Sequence, residues 1–308
     1  MGVPSWAAVE ARAARAAERG ALVSIYTRST DVVDGGVAFE VRLATSLAKA
    51  KPKGVEGGGA GEGKEGEGKA AKRNPFLPYE EDLYVSDAGE AHVVLLNKFN
   101  VVQGHLLVVT RAFESQDAPL NARDLGAVWP LVCAHRMLAF YNYGPLSGQS
   151  QSHKHMQAVP LASFVGARLP LEALVPPGRT RDSPAFSLPG LPFANRCAVL
   201  DPARETPEGL EAVVAGLVAH FDLGGRYVLG RDGLPSYNLL LSPTLAAVFP
   251  RGAEEAPCAA GRVNVNSLGF AGTMLAREQD VADEIVRVGP LKVLQAVGIP
   301  PQPADFHA

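Results

Sequence analysis

Apolar and polar positions follow several distinct rhythms along the 308 residues. Residues 5 to 19 have a helical one: Ser5 stands where an N-cap belongs, Ala and Arg fill the interior, and Gly20 ends it. Residues 22 to 47 break into short apolar segments around Asp34-Gly35-Gly36, which predicts a hairpin with Val37 to Leu43 as one strand. His92 to Asn97 and His105 to Thr110 are β-rich runs and predict two antiparallel strands of a central sheet. Residues 121 to 140 predict a helix with Leu125, Val128, Trp129, Val132 and Met137 on its apolar face, kinked or started by Pro130. Ser152 to Val159 alternates as a strand, and residues 160 to 192 form an irregular excursion rich in Pro, Gly and Arg. Beyond it come a strand over Phe193 to Leu200, a helix over Pro207 to Phe221, and strands over Tyr237 to Leu241 and Leu245 to Phe249. From Gln279 on, two helical pieces break at Pro290.

This order predicts an α+β fold in which helices pack on one face of an antiparallel sheet, as a single domain over residues 1 to 308. Residues 53 to 72, KGVEGGGAGEGKEGEGKAAK, cannot bury enough apolar surface to offset their ordering entropy. They read as a flexible Gly/Glu/Lys-rich surface loop within that domain, an insertion before a lid. They do not read as a phosphate loop, because the G-K-[ST] ending is missing.

A 47% hydrophobic content is enough for a sizeable core, and a net charge of -3 makes no electrostatic case for nucleic acid or an anionic membrane. No apolar run approaches the ~18 residues of a membrane span. Cys133, Cys197 and Cys258 are odd in number, far apart and without a C-x-x-C, which suggests a reducing compartment and no zinc knuckle. The N-terminus has arginines but also Glu10 and Glu18, and no apolar signal region. The expected location is therefore cytoplasmic, with organellar import left open.

The chemistry concentrates in Asn142 to Pro160, NYGPLSGQSQSHKHMQAVP. Gly144 to Ser152 is a loop of residues that bend the chain and expose N–H groups. In a strand, His153, His155 and Gln157 then share one face, and Lys154, Met156 and Ala158 the other. A neutral imidazole can attack phosphorus when its other nitrogen is tied by a hydrogen bond, commonly to a backbone carbonyl. An amide can bind a phosphate oxygen without carrying charge. His-x-His alone reads equally as structural, as half a metal site, or as catalytic. The preceding loop and Gln157 favour phosphate chemistry.

The run from Phe140 to Gln157 closely resembles the F-Y-N-x-G-P-x-S-G … H-K-H-[LM]-Q signature of the ATP adenylyltransferases, or diadenosine tetraphosphate phosphorylases. These form the nucleotidyl transferase branch of the histidine-triad superfamily, and the implied fold is histidine-triad/GalT-like. Leu95 to Thr110, with its Gly104-His105 pair, Tyr237-Asn238 and Asn266 to Arg277 extend the likeness. The resemblance implies reversible phosphorolysis of diadenosine tetraphosphate to ADP and ATP. His155 would be the nucleophile, Gln157 would bind the non-bridging oxygen of an adenylyl-histidine, and His153 would orient the site.

Gly148, Gln149, Ser150 and Gln151 would cradle phosphate, and Asn142 would contact the nucleotide. Lys51, Leu96, Asn97, Asn266, Ser267, Leu268, Thr273 and Arg277 match substrate-binding positions of the family. Thr273 stands where relatives have Met, Arg277 where they have Lys, and Leu268 where they have a small polar residue. These differences bear on nucleobase and chain-length preference. His105 reads as structural. The expected partners are small-molecule nucleotides and phosphate, with no tightly bound cofactor, no dedicated metal site, and Mg2+, if present, travelling with the nucleotide. The alternatives are a phosphorylase of adenylyl sulfate or GDP-hexose, a nucleotide sensor without turnover, and a His-x-His metal-dependent barrel enzyme. The last needs a carboxylate and a third histidine nearby.

Overall fold

A computed structural model describes residues 2–44, 73–221 and 234–302. The Gly/Glu/Lys-rich segment and Lys51 lie outside the described residues. In chain order, helix α1 (Trp6–Glu18) leads to strands β1 (Val23–Ser24), β2 (Thr27–Asp34) and β3 (Val37–Ala44). Next come β4 (Tyr84–Ala88), β5 (His92–Leu96), β6 (Phe99–Asn100), β7 (Leu106–Thr110), α2 (Ala122–His135), β8 (Met137–Tyr143) and β9 (His155–Pro160). The second half contributes β10 (Arg196–Val199), α3 (Pro207–Ala219), β11 (Tyr237–Leu241), β12 (Leu245–Pro250), β13 (Glu255–Cys258) and β14 (Gly261–Asn264). The short α4 (Ser267–Phe270), β15 (Thr273–Ala276), α5 (Gln279–Val288) and α6 (Pro290–Val297) complete it.

Eight strands form an antiparallel sheet in the order β10-β12-β11-β8-β9-β7-β5-β4. Its two faces follow from residue parity. Met156 and Ala158 of β9, Leu106 and Val108 of β7, and Ala139 and Tyr141 of β8 join a core with α1, α2 and α3. The opposite parity, Leu138, Phe140, Val159 and Leu240, joins a second core built from the small sheet β15-β3-β2, the 161–193 excursion and the C-terminal helices. On this second face Phe76, Val93, Leu95, Leu107 and Val109 form a separate cluster. His155 and Gln157 have this face's parity and lie between the two clusters.

Local chemistry explains most of the boundaries. Ser5 caps α1 by accepting from Ala8 N. Gly35 and Gly36 both have positive φ, as a two-residue hairpin turn demands. The predicted helix over 121 to 140 is a shorter helix followed by a strand. α2 stops at His135, Arg136 adopts the left-handed conformation, and Met137–Tyr143 becomes β8. Every residue of β8 is buried, so its apolar run has no period of two to betray it. Pro130 lies inside α2 and neither starts nor ends it.

The strand expected over 152 to 159 begins at His155. Residues 152 to 154 bond instead to the passing Glu114-Ser115-Gln116 segment, through Lys154 N to Glu114 O and Gln116 N to Ser152 O.

Lys154 points to the helix side, and its Nζ lies 2.5 Å from Asp124 Oδ2 with both side chains almost fully buried. Asp124 also accepts from His92 Nε2 at 2.9 Å and from Asn121 N at 3.0 Å, closing the capping box of α2. Burial opposes the charge on Asp124. The hydrogen bonds from His92 and Lys154 overcome that and hold its pKa below the ordinary carboxylate value. Removing the carboxylate would leave the buried ammonium with only the Pro119 carbonyl at 2.8 Å and the longer Glu114 contact at 3.7 Å. Asp124→Ala is therefore expected to lower the unfolding free energy by about 3–5 kcal/mol, read from urea unfolding.

Candidate active site

His155 and His153 are held in defined tautomers. His155 Nδ1–H donates to the His153 carbonyl at 2.8 Å, which makes Nε2 the nitrogen with the free lone pair. The buried Gln116 holds the His155 backbone, accepting from His155 N at 2.8 Å and donating to Asn142 O at 3.0 Å. His153 Nε2–H donates to Thr110 O at 2.8 Å, and its Nδ1 accepts from Asn74 Nδ2 at 3.0 Å. Both nitrogens of His153 are thus engaged, which argues against metal ligation and fits an orienting role through its carbonyl. The Phe76 ring lies 5.3 Å from the His155 ring and 5.7 Å from that of His153, so both face the same side. Burial lowers the pKa of His153, and that of His155 to about 4. The nucleophilic candidate is therefore neutral at pH 7.

Gln157 is oriented by a second chain of hydrogen bonds. Asn97 Nδ2 donates to Phe99 O at 3.2 Å and lies 3.1 Å from His105 Nδ1, which therefore accepts. His105 Nε2–H then donates to Gln157 Oε1 at 3.0 Å. This network turns the Gln157 NH2 away from His105, where it can serve an anionic oxygen. His105 is neutral as well, lowered to about 4 by burial. It is part of the site and not only of the scaffold, contrary to the sequence reading. The Gly-His pair before an apolar strand was the available signal, but its partner at Gln157 is 52 residues away.

Two cavities flank this row. One, of about 240 Å3, is lined by Asn97, His105, Gln157, Asn266, Thr273 and Arg277, with Leu268 beside them. The other, of about 190 Å3, sets apolar Phe76, Tyr79, Leu95 and Leu107 against Ser150, Gln151, His155 and Gln157. Asn97 and Gln157 line both. Leu96 borders the second cavity, although its side chain belongs to the helix-side core.

The remaining candidates lie beneath the site. Asn142 Oδ1 accepts from Asn238 Nδ2 and Ser267 N, and Ser267 Oγ lies 2.7 Å away, all within a buried network. Gly148 has φ of +75°, and a Cβ there would meet the Val265 carbonyl at 2.5 Å, so this loop closes only on glycine. Gln149 donates to Asp117. Asn74, Phe76 and Gln116 escaped sequence reading because nothing local marks them. Among the described residues no group of three or more His, Cys, Asp or Glu could hold a metal ion, and no helix is long and apolar enough to cross a membrane.

A family model for the Ap4A phosphorylase N-terminal domain matches residues 4–177, and one for the ATP adenylyltransferase C-terminal domain matches 189–300. Strands from both stretches share the large sheet, where β11 of the second pairs with β8 of the first. The chain is 28% identical over 266 residues to diadenosine 5′,5‴-P1,P4-tetraphosphate phosphorylase 2 of Saccharomyces cerevisiae, covering 76% of this chain and 80% of that protein. It is also 28% identical over 229 residues to Protein APA1 of the same yeast, 68% and 70% of the two chains. The fold is similar to the crystal structure of yeast Ap4A phosphorylase Apa2 in complex with Ap4A. That match has a TM-score of 0.78 at 23% identity and covers 98% of this chain and 100% of that one.

Two outcomes are expected. His105 and His155 bind protons in the unfolded chain near 6.5 but in the folded one only near 4, so stability falls as pH drops from 6.5 towards 4. Unfolding at pH 5 should take up about two protons at these positions, measurable from the pH dependence of urea unfolding. If His105 works through Gln157, His105→Ala should slow nucleotidyl transfer in the parent but add little on a Gln157→Ala background. This is read from a double-mutant cycle on kcat.

Proposed function

The chain belongs to the Ap4A phosphorylase and ATP adenylyltransferase family, and we propose that it phosphorolyses diadenosine tetraphosphate to ADP and ATP through an adenylyl group carried on His155. The supporting observation is the pairing of a neutral His155, open only at Nε2, with the outward amide of Gln157 between two cavities. In the first step the Nε2 lone pair attacks the α-phosphorus. A P–N bond forms, the bond to the bridging oxygen breaks, and ATP departs with that electron pair. In the second step a phosphate oxygen attacks the same phosphorus, the P–N bond breaks, ADP leaves, and Nε2 regains its lone pair.

The protein's part is orientation and charge compensation. The His153 carbonyl holds the Nδ1 proton and stabilises positive charge as the ring is adenylylated. The Gln157 amide donates to the non-bridging oxygen at the transferred phosphorus. The apolar cavity around Phe76, Tyr79, Leu95 and Leu107 suits the base of the transferred adenylyl group. The larger cavity, with Asn97, Asn266, Thr273 and Arg277, suits the departing nucleotide. Two cavities meeting at one nucleophile fit a substrate with a nucleoside at each end of a phosphate chain. Mg2+ enters with that chain as its counterion.

Incubation with diadenosine tetraphosphate in the absence of phosphate should give an acid-labile, base-stable AMP adduct by intact mass. Added phosphate should discharge it as ADP. His155→Ala should give no adduct, and Gln157→Ala should slow its formation by about 10²–10³-fold. Adduct formation from adenylyl sulfate or GDP-hexose in preference to diadenosine tetraphosphate would move the assignment to those substrates.

A further inference from the structure

Arg251 closes β12 and has no exposed surface, yet no carboxylate pairs with it among the described residues. Its guanidinium is surrounded by neutral oxygens. Nη1 donates towards Asn238 Oδ1, Val265 O at 2.8 Å and Ser147 O at 3.2 Å, and Nη2 towards Ala253 O at 2.8 Å and Glu254 O at 3.1 Å. The Phe270 ring centroid lies 5.5 Å from its Cζ. Burial lowers its pKa to about 9 against the opposing pull of the Glu254 carboxylate, which leaves it charged at neutral pH. A buried charge with no ion pair in contact is costly, and a fold with no use for it would gain by replacing it.

The positions of the bound oxygens suggest the use. Ser147 directly precedes Gly148 to Gln151, and Val265 directly precedes Asn266, which lines the larger cavity. In a trans peptide the C=O and the following N–H point in opposite directions. Arg251 holds the carbonyls of Ser147 and Val265, so the N–H groups of Gly148 and Asn266 point away from it. The two segments also touch, since no side chain fits between Gly148 and the Val265 carbonyl. An anion on the Gly148 N–H would lie within about 8 Å of the guanidinium, close enough in a buried setting for its charge to matter.

We propose that Arg251 is a positioning residue whose charge, offset only at a distance by Glu254, is matched by the polyphosphate of the substrate: it fastens the two loops together and sets affinity for the phosphate chain without touching it. This rests on the reading that the chain binds nucleoside polyphosphates at this site. Other cations are differently placed. Lys154 is neutralised by Asp124, Lys98 pairs with the exposed Glu80, and Arg277 lines the cavity directly.

The test is calorimetric binding of adenosine, AMP, ATP and inorganic tripolyphosphate to the full chain and to Arg251→Met and Arg251→Lys. Arg251→Met should leave adenosine within about twofold, weaken AMP about threefold, and weaken ATP and tripolyphosphate by about thirtyfold. Arg251→Lys keeps the charge but loses the guanidinium fork, so it should weaken ATP and tripolyphosphate clearly less than Arg251→Met does, while adenosine falls about equally in the two. Equal weakening of adenosine and ATP, or equal damage from Lys and Met, would overturn the proposal by reducing Arg251 to a loop fastener. If Arg251→Met does not fold, Arg251→Lys and Arg251→Gln give the same comparison, because the proposal requires them to differ only for phosphate-bearing ligands. Tripolyphosphate separates this inference from its premise. Charge-graded binding of tripolyphosphate without nucleotide binding would sink the nucleotide reading and leave the role of Arg251 standing. Failure of the unaltered chain to bind tripolyphosphate would sink that role.

Discussion

Lys154 sends its ammonium into the carboxylate of Asp124, away from the cavities, and the register of β9 follows from that contact. A slip of one residue would place Lys154 in the site and drive His155 and Gln157 into the helix-side core. Breaking the pair would strand a buried charge, so the slipped register carries a cost beyond lost packing. The same carboxylate caps α2 and binds His92 on β5, so one side chain ties together a helix and two strands of the sheet. The lysine between the two histidines is thus the anchor that lets His155 face the cavity.

On the other face the groups proposed to react are kept neutral. His155, His105 and His153 are held below their ordinary pKa, chiefly by burial, and Gln157 has no charge to lose. A neutral nucleophile meets an anionic phosphate without needing to be deprotonated, and fixed dipoles set the direction of approach. Positive charge is moved back behind the loops, in Arg251, or out to the cavity wall, in Arg277. Orientation is supplied by backbone carbonyls and amides, which hold rings and side chains in place without adding charge.

Much of this was legible in the chain. The β9 alternation from His155 onward, the hairpin at Gly35-Gly36, helices α1, α3, α5 and α6, and the pairing of β5 with β7 rest on interactions between residues close in sequence. Caps, turns and period-two or period-3.6 patterns act over a few residues, so they can be read there. The shared face of His155 and Gln157 was legible for the same reason, because strand geometry alone sets it. What stayed hidden was set by distant partners. β8 was hidden because both of its faces are buried. The buried network that joins Asn142 and Ser267 to Asn238 and Arg251 was hidden as well, because Asn142 is far along the chain from the other three.

The sequence by itself determined the alternation that puts His155 and Gln157 on one face, the glycine loop before it, and the family likeness carried by those residues, since each is encoded in contiguous chain. Only the tertiary structure decided which nitrogen of His155 is free, which way the Gln157 amide points, that His105 lies against Gln157, and that Arg251 is buried with no carboxylate in contact among the described residues. Each of these depends on hydrogen bonds or burial between segments far apart in the chain, and a linear pattern holds no record of which distant atoms will meet.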